Sequence, residues 1–395
     1  MPTLEPAYAL FAQGLPGDRT LPVLAEFKRQ LPILRSDRED VQSALTEAVL
    51  SRLGLTNGRL ERPTTTGRSG DPVFFLTTHG QVHSVIKLYT KSLADLAKEL
   101  IGMHTFKSAH LHLSQTVDLK DLFIINFNGR EFPVMIMSLA PGRDMTQTIH
   151  QLAKHSISDS DALTTSAWMG RALAEFHQHF VWHPPSDHPS TRITKDYEAE
   201  KSRSMINDVV TKINEFVQES WMTESESTMF VERIQNAIHT YTTSETMELS
   251  FIHGDLNAGN VLFDPTQRQI TFIDTQLSSN STGPRDHNQR VLGVGEPMAD
   301  MGRLTEAINI EGIEAGISPH QIAQMQEALI QSYLIGRQID LDFIDTGLNY
   351  FRLRFDLQQL IGQIYVREPR VRCFVIHQLL IRLQIRNSSA RAICN

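Results

Sequence analysis

The chain has 395 residues, of which 41% are hydrophobic and 21% charged, a composition typical of a globular protein with a sizeable buried core. Its 37 Lys and Arg residues against 45 Asp and Glu residues give a formal net charge of −8 at pH 7. This balance argues against a globally basic nucleic-acid-binding protein, because phosphate neutralisation requires clustered positive charge. An apolar run of about 18 residues is absent, so we expect no transmembrane helix and no membrane partner.

The sequence also predicts a cytoplasmic location. The two cysteines, Cys373 and Cys394, form neither a metal-binding spacing nor a disulfide framework, which favours a reducing interior. The N-terminal residues contain neither a basic region nor a long apolar core, so no signal peptide is expected. The oligomeric state has no signature in the sequence.

The first 140 residues are expected to change from helix to strands. Residues 1–55 are predicted to be mainly helical, and the following stretch carries apolar segments separated by turn residues such as Asn128-Gly129. The predicted order after residue 55 is β-β-β-α-β-β. The segments are a helix over 37–53, three strands within 59–89 with the first at Thr64–Thr66, a helix over 93–106, and strands over 121–127 and 132–137.

Beyond the breaker Ala140-Pro141-Gly142 the chain is predicted to be largely helical. A short strand-like island over 251–273 interrupts the helices, which resume at Met298. The other predicted helices span 143–155, 160–182, 196–219 and 222–243. We therefore expect an N-terminal helical extension (1–55), a β-rich region (56–140) and a helical region (141–395).

The most informative motif lies in the strand-like island. His253-Gly254-Asp255 is followed five residues later by Asn260, and a second apolar segment ends at Asp274. This set suits phosphoryl transfer, in which one carboxylate accepts the proton of an attacking hydroxyl. An amide oxygen and a second carboxylate are hard ligands of the kind that Mg²⁺ prefers.

The motif His253–Asn260 followed by Phe272–Asp274 resembles the catalytic loop and metal site of the aminoglycoside phosphotransferase and choline kinase superfamily. Three further segments resemble that family in the family's order: a hinge over 134–142, a helix over 169–177 and a segment over 299–303. The resemblance implies an α+β, two-lobed protein-kinase-like fold. Its N-lobe would hold a small antiparallel β-sheet with one helix, and its C-lobe would be larger and mainly helical.

The resemblance also assigns roles to individual residues. It implies that Asp255 is the catalytic base, Asn260 a metal ligand and Asp274 the principal Mg²⁺ ligand. His253 is expected to be structural. Asp300 is expected either to support the catalytic loop by hydrogen bonds or to cap the helix that follows it.

The resemblance implies that MgATP is held by Lys87 of the nucleotide-binding N-lobe together with Asn260 and Asp274. Lys87 is similar to the family's phosphate-binding lysine, with Glu99 as its expected partner and Asp95 as the alternative.

The remaining nucleotide contacts are expected at a turn and at the hinge. Ser69 and Gly70 lie where the fold would cover the phosphates, although an ordinary hairpin turn explains this loop equally well. Met137 and Leu139 lie in the hinge that would contact the adenine.

The predicted function is a small-molecule kinase that transfers the γ-phosphate of ATP to a hydroxyl group of a small acceptor. Residues 181–250 contain twelve acidic and six basic residues, and residues 351–395 contain two acidic and eight basic ones. One explanation of this pattern is solvated helix faces. The other is an acidic wall that binds an amine-bearing acceptor such as an aminoglycoside, together with a basic tail that contacts a partner. A neutral sugar or a nucleoside is the alternative acceptor. The acidic residues in question are Glu198, Glu200, Asp208 and Glu215.

Two alternatives are a protein Ser/Thr kinase and a catalytically silent nucleotide-binding scaffold. The H-G-D motif in place of H-R-D, without D-F-G or A-P-E segments, argues against the first. The simultaneous presence of the lysine, both aspartates and the asparagine argues against the second. The segment Gln276–Val294 is longer than the family pattern, and it is expected to be a substrate loop, an activation-segment analogue or a flexible excursion.

Overall fold

The computed structural model describes residues 28–29, 31–36, 40–63, 71–90, 93–181, 189–218, 223–244, 248–275 and 295–361. Several sequence predictions lie outside these residues: the strand at Thr64–Thr66, the turn with Ser69 and Gly70, the Gln276–Val294 segment and both cysteines. In the described part of the chain, no helix has the length and apolar character needed to cross a membrane.

The N-terminal part is built on a six-stranded sheet with the order β1-β6-β7-β4-β3-β2. Neighbouring strands run antiparallel, except that β1 pairs parallel to β6. The strands are β1 (Ile33–Ser36), β2 (Arg59–Glu61), β3 (Val73–Thr78), β4 (Gln81–Leu88), β6 (Leu119–Phe127) and β7 (Arg130–Met137).

Both faces of this sheet are buried. Successive side chains of a strand point to opposite faces, and in β6 the neighbours Leu122 and Phe123 belong to two different apolar clusters. One cluster packs against helix α2 (Leu93–Ala109) and the other against helix α1 (Val41–Leu53). Two-sided burial explains why the sequence of β6 is nearly continuously apolar near its C-terminal end.

Residues 1–55, which were predicted to be mainly helical, therefore contribute strand β1 to the sheet and helix α1 to the packing on one of its faces. Arg52 of α1 forms a bidentate ion pair with Asp121 of β6, with distances of 2.5 and 2.8 Å. The sequence did not indicate β1, because four residues carry no readable periodicity and their parallel partner lies some 90 positions further along the chain. The domain boundaries at residues 55 and 140 stay predictions.

The second part carries a four-stranded sheet with the order β5-β10-β9-β8 and most of the helices. The predicted helices are present with ends shifted by up to seven residues, the largest shift being at the start of the helix predicted over 196–219, whereas β5 and β8 are two to three residues long and were not predicted. The strands are β5 (Ser114–Thr116), β8 (Arg143–Asp144), β9 (Val261–Asp264) and β10 (Gln269–Phe272). The helices are α3 (Met145–Ala153), α4 (Asp159–Phe180), α5 (Pro189–Gln218), α6 (Glu224–Thr243), α7 (Met298–Ala315), α8 (Pro319–Arg337) and α9 (Leu341–Ile361).

Helix α2 connects the two parts. Its Leu96 and Leu100 belong to the core of the six-stranded sheet, whereas Phe106 stacks on Phe176 of α4 at a centroid distance of 4.1 Å. A single helix thus packs into both cores, and these contacts place the residues of α2 that face the space between them. The mixed α+β architecture predicted from the sequence is confirmed.

Candidate active site

The β9–β10 hairpin brings Asn260 and Asp274 together. Val261 pairs with Phe272, and beyond that pair the backbone N–H of Ile273 donates to the carbonyl oxygen of Asn260 at 3.0 Å. Asp274 follows directly, in a left-handed conformation with φ of 55° that is uncommon for a residue other than glycine. Hairpin register therefore places the two predicted metal ligands at one end of the hairpin, although 13 residues separate them in the chain.

The loop that carries Asp255 is held through its backbone by Asp300 of α7. The carboxylate of Asp300 accepts hydrogen bonds from the N–H groups of His253 at 2.6 Å and Gly254 at 3.0 Å. Gly254 has a φ of 80°, which a residue with a Cβ adopts only at a cost, so the loop needs glycine immediately before Asp255. The predicted support of the loop by Asp300 is confirmed. The alternative capping role is wrong, because the helix begins at Met298 and Asp300 lies inside its first turn.

His253 is a structural residue, as predicted. Its Nε2 lies 2.9 Å from the carbonyl oxygen of Ile273, and its Nδ1 lies 3.3 Å from the backbone nitrogen of Asp255. An imidazole that donates from Nε2 and accepts at Nδ1 is neutral. Burial lowers the pKa of His253, although nearby carboxylates act in the opposite direction, and this favours the neutral form. The ring thus connects the loop that carries Asp255 to the segment between β10 and Asp274.

A second buried histidine, His177 of α4, supports Asp300 from behind. Its Nε2 lies 3.2 Å from Asp300 Oδ2, and its Nδ1 lies 3.0 Å from the hydroxyl of Tyr333 on α8. Burial raises the pKa of Asp300, but the hydrogen bond to His177 and further neighbours outweigh it, so the net shift is downward. The carboxylate therefore stays ionised and keeps accepting from the loop. The sequence placed His177 in a family-like helix without indicating this contact.

Lys87 of β4 joins the two parts of the molecule. Its Nζ donates to Glu99 Oε2 of α2 at 2.7 Å and to Asp274 Oδ1 at 2.5 Å. The side chain of Lys87 is 3% exposed and that of Asp274 is 26% exposed, so the aspartate forms the solvent-facing side of the group. Glu99 is the partner that the sequence favoured over Asp95. The hydroxyl of Tyr89, which the sequence did not indicate, also donates to Glu99 Oε2.

The charges of this group depend on one another. Burial raises the pKa of Glu99 to about 7, with Asp274 adding to the rise and Lys87 opposing it. Burial lowers the pKa of Lys87, but its two carboxylate partners raise it more, so the amine stays charged. Burial also raises the pKa of Asp274, yet the charge and hydrogen bond of Lys87 shift it below its usual value. The ionised Lys87–Asp274 pair is therefore the stable core of the group.

Gly102 holds α2 against the segment that follows Asp274. A Cβ atom at this position would lie 2.1 Å from the carbonyl oxygen of Thr275 and 2.5 Å from its Oγ1. Gly102 lies one turn after Glu99, so both residues are on the face of α2 that points toward Lys87 and Asp274. The absence of a side chain thus fixes the distance between the helix and the Asp274 segment, a constraint that the sequence did not reveal.

Asn260 and Asp274 fit a divalent cation. The amide nitrogen of Asn260 donates to the carbonyl oxygen of Asp255 at 2.9 Å, which directs the amide oxygen away from that carbonyl. Only one carboxylate oxygen of Asp274 contacts Lys87. Two hard oxygen donors are a set that Mg²⁺ accepts when phosphate oxygens and water complete its shell. The described residues contain no group of three His, Cys, Asp or Glu side chains that would form an all-protein metal site.

Asp255 projects from the loop and forms an ion pair with Arg303 of α7. The Arg303 side chain also approaches the backbone of the catalytic loop, with Nη1 at 3.4 Å from the carbonyl oxygen of Gly254. The sequence singled out the segment 299–303 without giving Arg303 a role. The i+3 spacing of Arg303 from Asp300 could have indicated that both residues face the same loop, because residues at this spacing share a helix face.

The two hinge residues differ in exposure. Met137 ends β7 and is buried, whereas Leu139 is 46% exposed and follows it by two residues. Ser138 between them is fixed by a backbone hydrogen bond to the carbonyl oxygen of Asp118 at 2.8 Å. An exposed apolar side chain on a fixed backbone is available for contact with a planar ligand.

The four acidic residues expected to line an acceptor site do not share one environment. Glu198 is buried and forms an ion pair with Arg354 of α9, so a basic residue of the C-terminal segment neutralises it. Glu200, Asp208 and Glu215 lie on exposed positions of α5. Glu198 therefore does not contribute negative charge to the expected acidic wall. The sequence did not reveal this, because Arg354 lies 156 positions further along the chain.

The sequence model of the phosphotransferase enzyme family (APH) matches residues 62–281, more than half of the chain and the whole stretch from β3 to Asp274. The chain belongs to this family. It is thus a phosphotransferase, as the motif over 253–274 predicted. No curated protein sequence matches it significantly.

Solved structures share the fold of this phosphotransferase. A glucosamine kinase aligns with a TM-score of 0.50 and 14% identity, covering 93% of this chain and 80% of the kinase. A thermostable mutant of aminoglycoside phosphotransferase APH(4)-Ia, solved with AMP-PNP and hygromycin B, aligns with a TM-score of 0.50 and 12% identity, covering 88% of this chain and 98% of its own. The predicted two-lobed, protein-kinase-like α+β fold is confirmed.

Proposed function

We propose that this phosphotransferase transfers the γ-phosphate of ATP, in a Mg²⁺-dependent reaction, to a hydroxyl group of a small acceptor. One observation carries the proposal: Lys87 contacts Glu99 and Asp274 while Asn260 bonds to the loop of Asp255. A cation suited to phosphate, two hard oxygen donors and a partly exposed carboxylate thus converge from three chain segments: β4, the 255–260 loop and the segment after β10. Such convergence is what positioning and charge neutralisation require for phosphoryl transfer.

The residues take distinct parts in the reaction. The acceptor oxygen forms a bond to the γ-phosphorus, the bond from that phosphorus to the β–γ bridging oxygen breaks, and its electrons leave with ADP. Asp255 accepts the proton of the acceptor hydroxyl. Lys87, fixed by Glu99, binds phosphate oxygens, while Asn260 and Asp274 hold Mg²⁺. The metal supplies neutralisation of phosphate charge when bound.

The adenine is proposed to lie against the hinge at Met137 and Leu139. Exposed Leu139 offers apolar contact to a base, and the backbone between the two residues is fixed. Ser69 and Gly70 lie outside the described residues and stay proposed contacts of the phosphates.

An amine-bearing alcohol or sugar is the proposed acceptor class. Support comes from the exposed acidic residues of α5, Glu200 and Asp208, and from the fold shared with a structure described as a glucosamine kinase. Glu198 is not counted in this acidic set, because it pairs with Arg354.

The test is a phosphotransfer screen with ATP and Mg²⁺ across aminoglycosides, amino alcohols, sugars and nucleosides, read by product mass. Glucosamine and glucose form a matched pair that differs by one amine. We expect ADP and a phosphorylated acceptor, with formation strongly reduced in the Asp255→Asn variant and abolished on addition of EDTA. Equal turnover of glucosamine and glucose would remove the amine preference. Nucleotide binding without any transfer would favour a silent scaffold, and preferential transfer to proteins would favour a protein kinase.

A further inference from the structure

Asp255 has one ion-pair partner in the described part of the chain, and that partner is Arg303. The pair joins Asp255 Oδ1 to Arg303 Nη2, with 24% of the aspartate side chain and 30% of the arginine side chain exposed. The proposed base therefore lies in the active site with one of its two oxygens already engaged by a cation.

The contacts of Arg303 differ from those of the arginines that bind buried acids. Arg337 pairs with Glu248 and Arg352 pairs with Glu306, and neither of these acids belongs to the loop that carries Asp255. Arg303 is the arginine that pairs with a residue of the loop itself, among the ranges that the structure describes. This contrast argues that its contact with Asp255 serves the site more than the general packing of helices.

The guanidinium of Arg303 is placed by an aromatic ring. Its central carbon lies 5.6 Å from the ring centroid of Phe355 on α9, and its Nε is buried without a hydrogen-bond partner. A buried N–H without a partner is unfavourable, so the arrangement persists because stacking on the ring and pairing with Asp255 outweigh that cost.

Helix α7 thereby holds the catalytic loop in two ways. Asp300 and Arg303 are three residues apart and lie on the same face of the helix. The first accepts from the backbone N–H groups of His253 and Gly254, and the second binds the side chain of Asp255. Backbone bonds fix where the loop lies, but they leave the rotation of the Asp255 carboxylate undetermined, since the terminal torsion of aspartate is broad.

We propose that Arg303 is a positioning residue that holds the Asp255 carboxylate by Oδ1 and leaves Oδ2 to accept the hydroxyl proton of the acceptor. The inference rests on the proposed function, because it concerns the base of that reaction. A carboxylate held in one rotation presents the same oxygen in every encounter with the acceptor. Misplacement of a reacting group by about 1 Å is enough to slow catalysis about a hundredfold.

The test compares steady-state kinetics of Arg303→Ala and Arg303→Lys with those of the wild type, using whichever acceptor the wild type phosphorylates. We expect kcat of R303A to fall about tenfold to a hundredfold, with the Kd of ATP unchanged because Lys87 and Asp274 are intact. R303K should recover part of kcat, and added guanidinium should raise the kcat of R303A but not that of the wild type. A purely structural role would not respond to free guanidinium.

Arg171→Ala is the matched control. Arg171 lies over the ring of Trp168 at 5.7 Å, much as Arg303 lies over that of Phe355, but the described residues show no ion pair between Arg171 and the loop that carries Asp255. R171A is expected to keep the wild-type kcat. A kcat of R303A within twofold of wild type would overturn the inference. So would a loss that lowers kcat and ATP affinity equally and that neither lysine nor guanidinium restores.

The two proposals fail in different ways. Absence of phosphoryl transfer by the wild-type protein with every acceptor removes the proposed function. Transfer by the wild type together with an unaffected R303A leaves that function standing and removes only the role of Arg303.

Discussion

Replacing Gly102 by alanine tests whether helix packing sets the nucleotide site. The added Cβ would lie 2.1 Å from the carbonyl oxygen of Thr275, whereas real Cβ contacts are essentially never closer than 3.0 Å. Helix α2 and the Asp274 segment must therefore separate by roughly 0.9 Å, because close-packed interiors absorb such a clash only by shifting. Lys87 bonds across this gap to Glu99 at 2.7 Å and to Asp274 at 2.5 Å, so a shift of that size taken up by either bond would stretch it beyond the usual limit of about 3.2 Å.

Two opposing effects set the expected stability of Gly102→Ala. Overpacking costs about 1–3 kcal/mol, and alanine in place of glycine inside a helix returns up to about 1 kcal/mol. We expect the free energy of unfolding, measured by denaturant titration, to fall by about 1–2 kcal/mol. Loss of a hydrogen bond to a charged group, about 1.5–3 kcal/mol, should weaken MgATP binding about tenfold to a hundredfold in calorimetry.

Gly170→Ala provides the matched control for this prediction. A Cβ there would lie 2.2 Å from the carbonyl oxygen of Leu329, an equally close contact between α4 and α8 but away from Lys87. G170A should lose stability to a similar extent and keep its affinity for MgATP. The reasoning is refuted if G102A is as stable as the wild type and binds MgATP normally, or if G170A loses nucleotide affinity to the same degree.

Three further changes probe the base, the loop and the half-buried acid Glu296. Asp255→Asn should lower kcat about 10²–10⁴-fold and leave ADP affinity intact, and equal losses in both would contradict its role as base. Asp300→Ala should cost about 2–4 kcal/mol in denaturant unfolding, because the N–H groups of His253 and Gly254 lose their acceptor, with Asp300→Asn less affected. Burial raises the pKa of Glu296 from 4.5 to about 7, so its stabilising contribution is complete below pH 4.5 and is lost as pH rises through 7. Glu296→Gln should therefore raise the melting temperature at pH 8 and flatten its dependence between pH 5 and 8, and an unchanged pH profile would refute this.

Much of the fold was readable from local patterns. Helices such as α4 carry a capping Ser158 and an apolar stripe, and β6 and β7 are joined by the turn residues Asn128 and Gly129. These signals act over a few residues, so they survive in the sequence alone. Strand β1 carried no such signal, because its partner β6 is distant in the chain and a four-residue segment has no measurable period.

The candidate site likewise contains some residues that local sequence patterns indicated and some contacts between distant parts of the chain. Asp255, Asn260 and Asp274 lie within 20 positions, and a tight loop with a hairpin brings them together, so their spacing was sufficient to predict the chemistry. Lys87 was predicted from its resemblance to a family lysine, and the contact with Asp274 spans 187 positions.

The sequence by itself determined the family, the two-lobed fold and the residue types of a phosphoryl-transfer site, since these depend on local pattern and motif order. Only the tertiary structure decided which charges act together. It paired Glu198 with Arg354, placed Arg303 on Asp255, and brought Gly102 against Thr275. The physical reason is that the effect of a charge, or of a missing side chain, depends on neighbours within a few ångströms. Those neighbours come from remote parts of the chain, so a regional count of acidic residues did not reveal that Arg354 of a distant helix neutralises one of them.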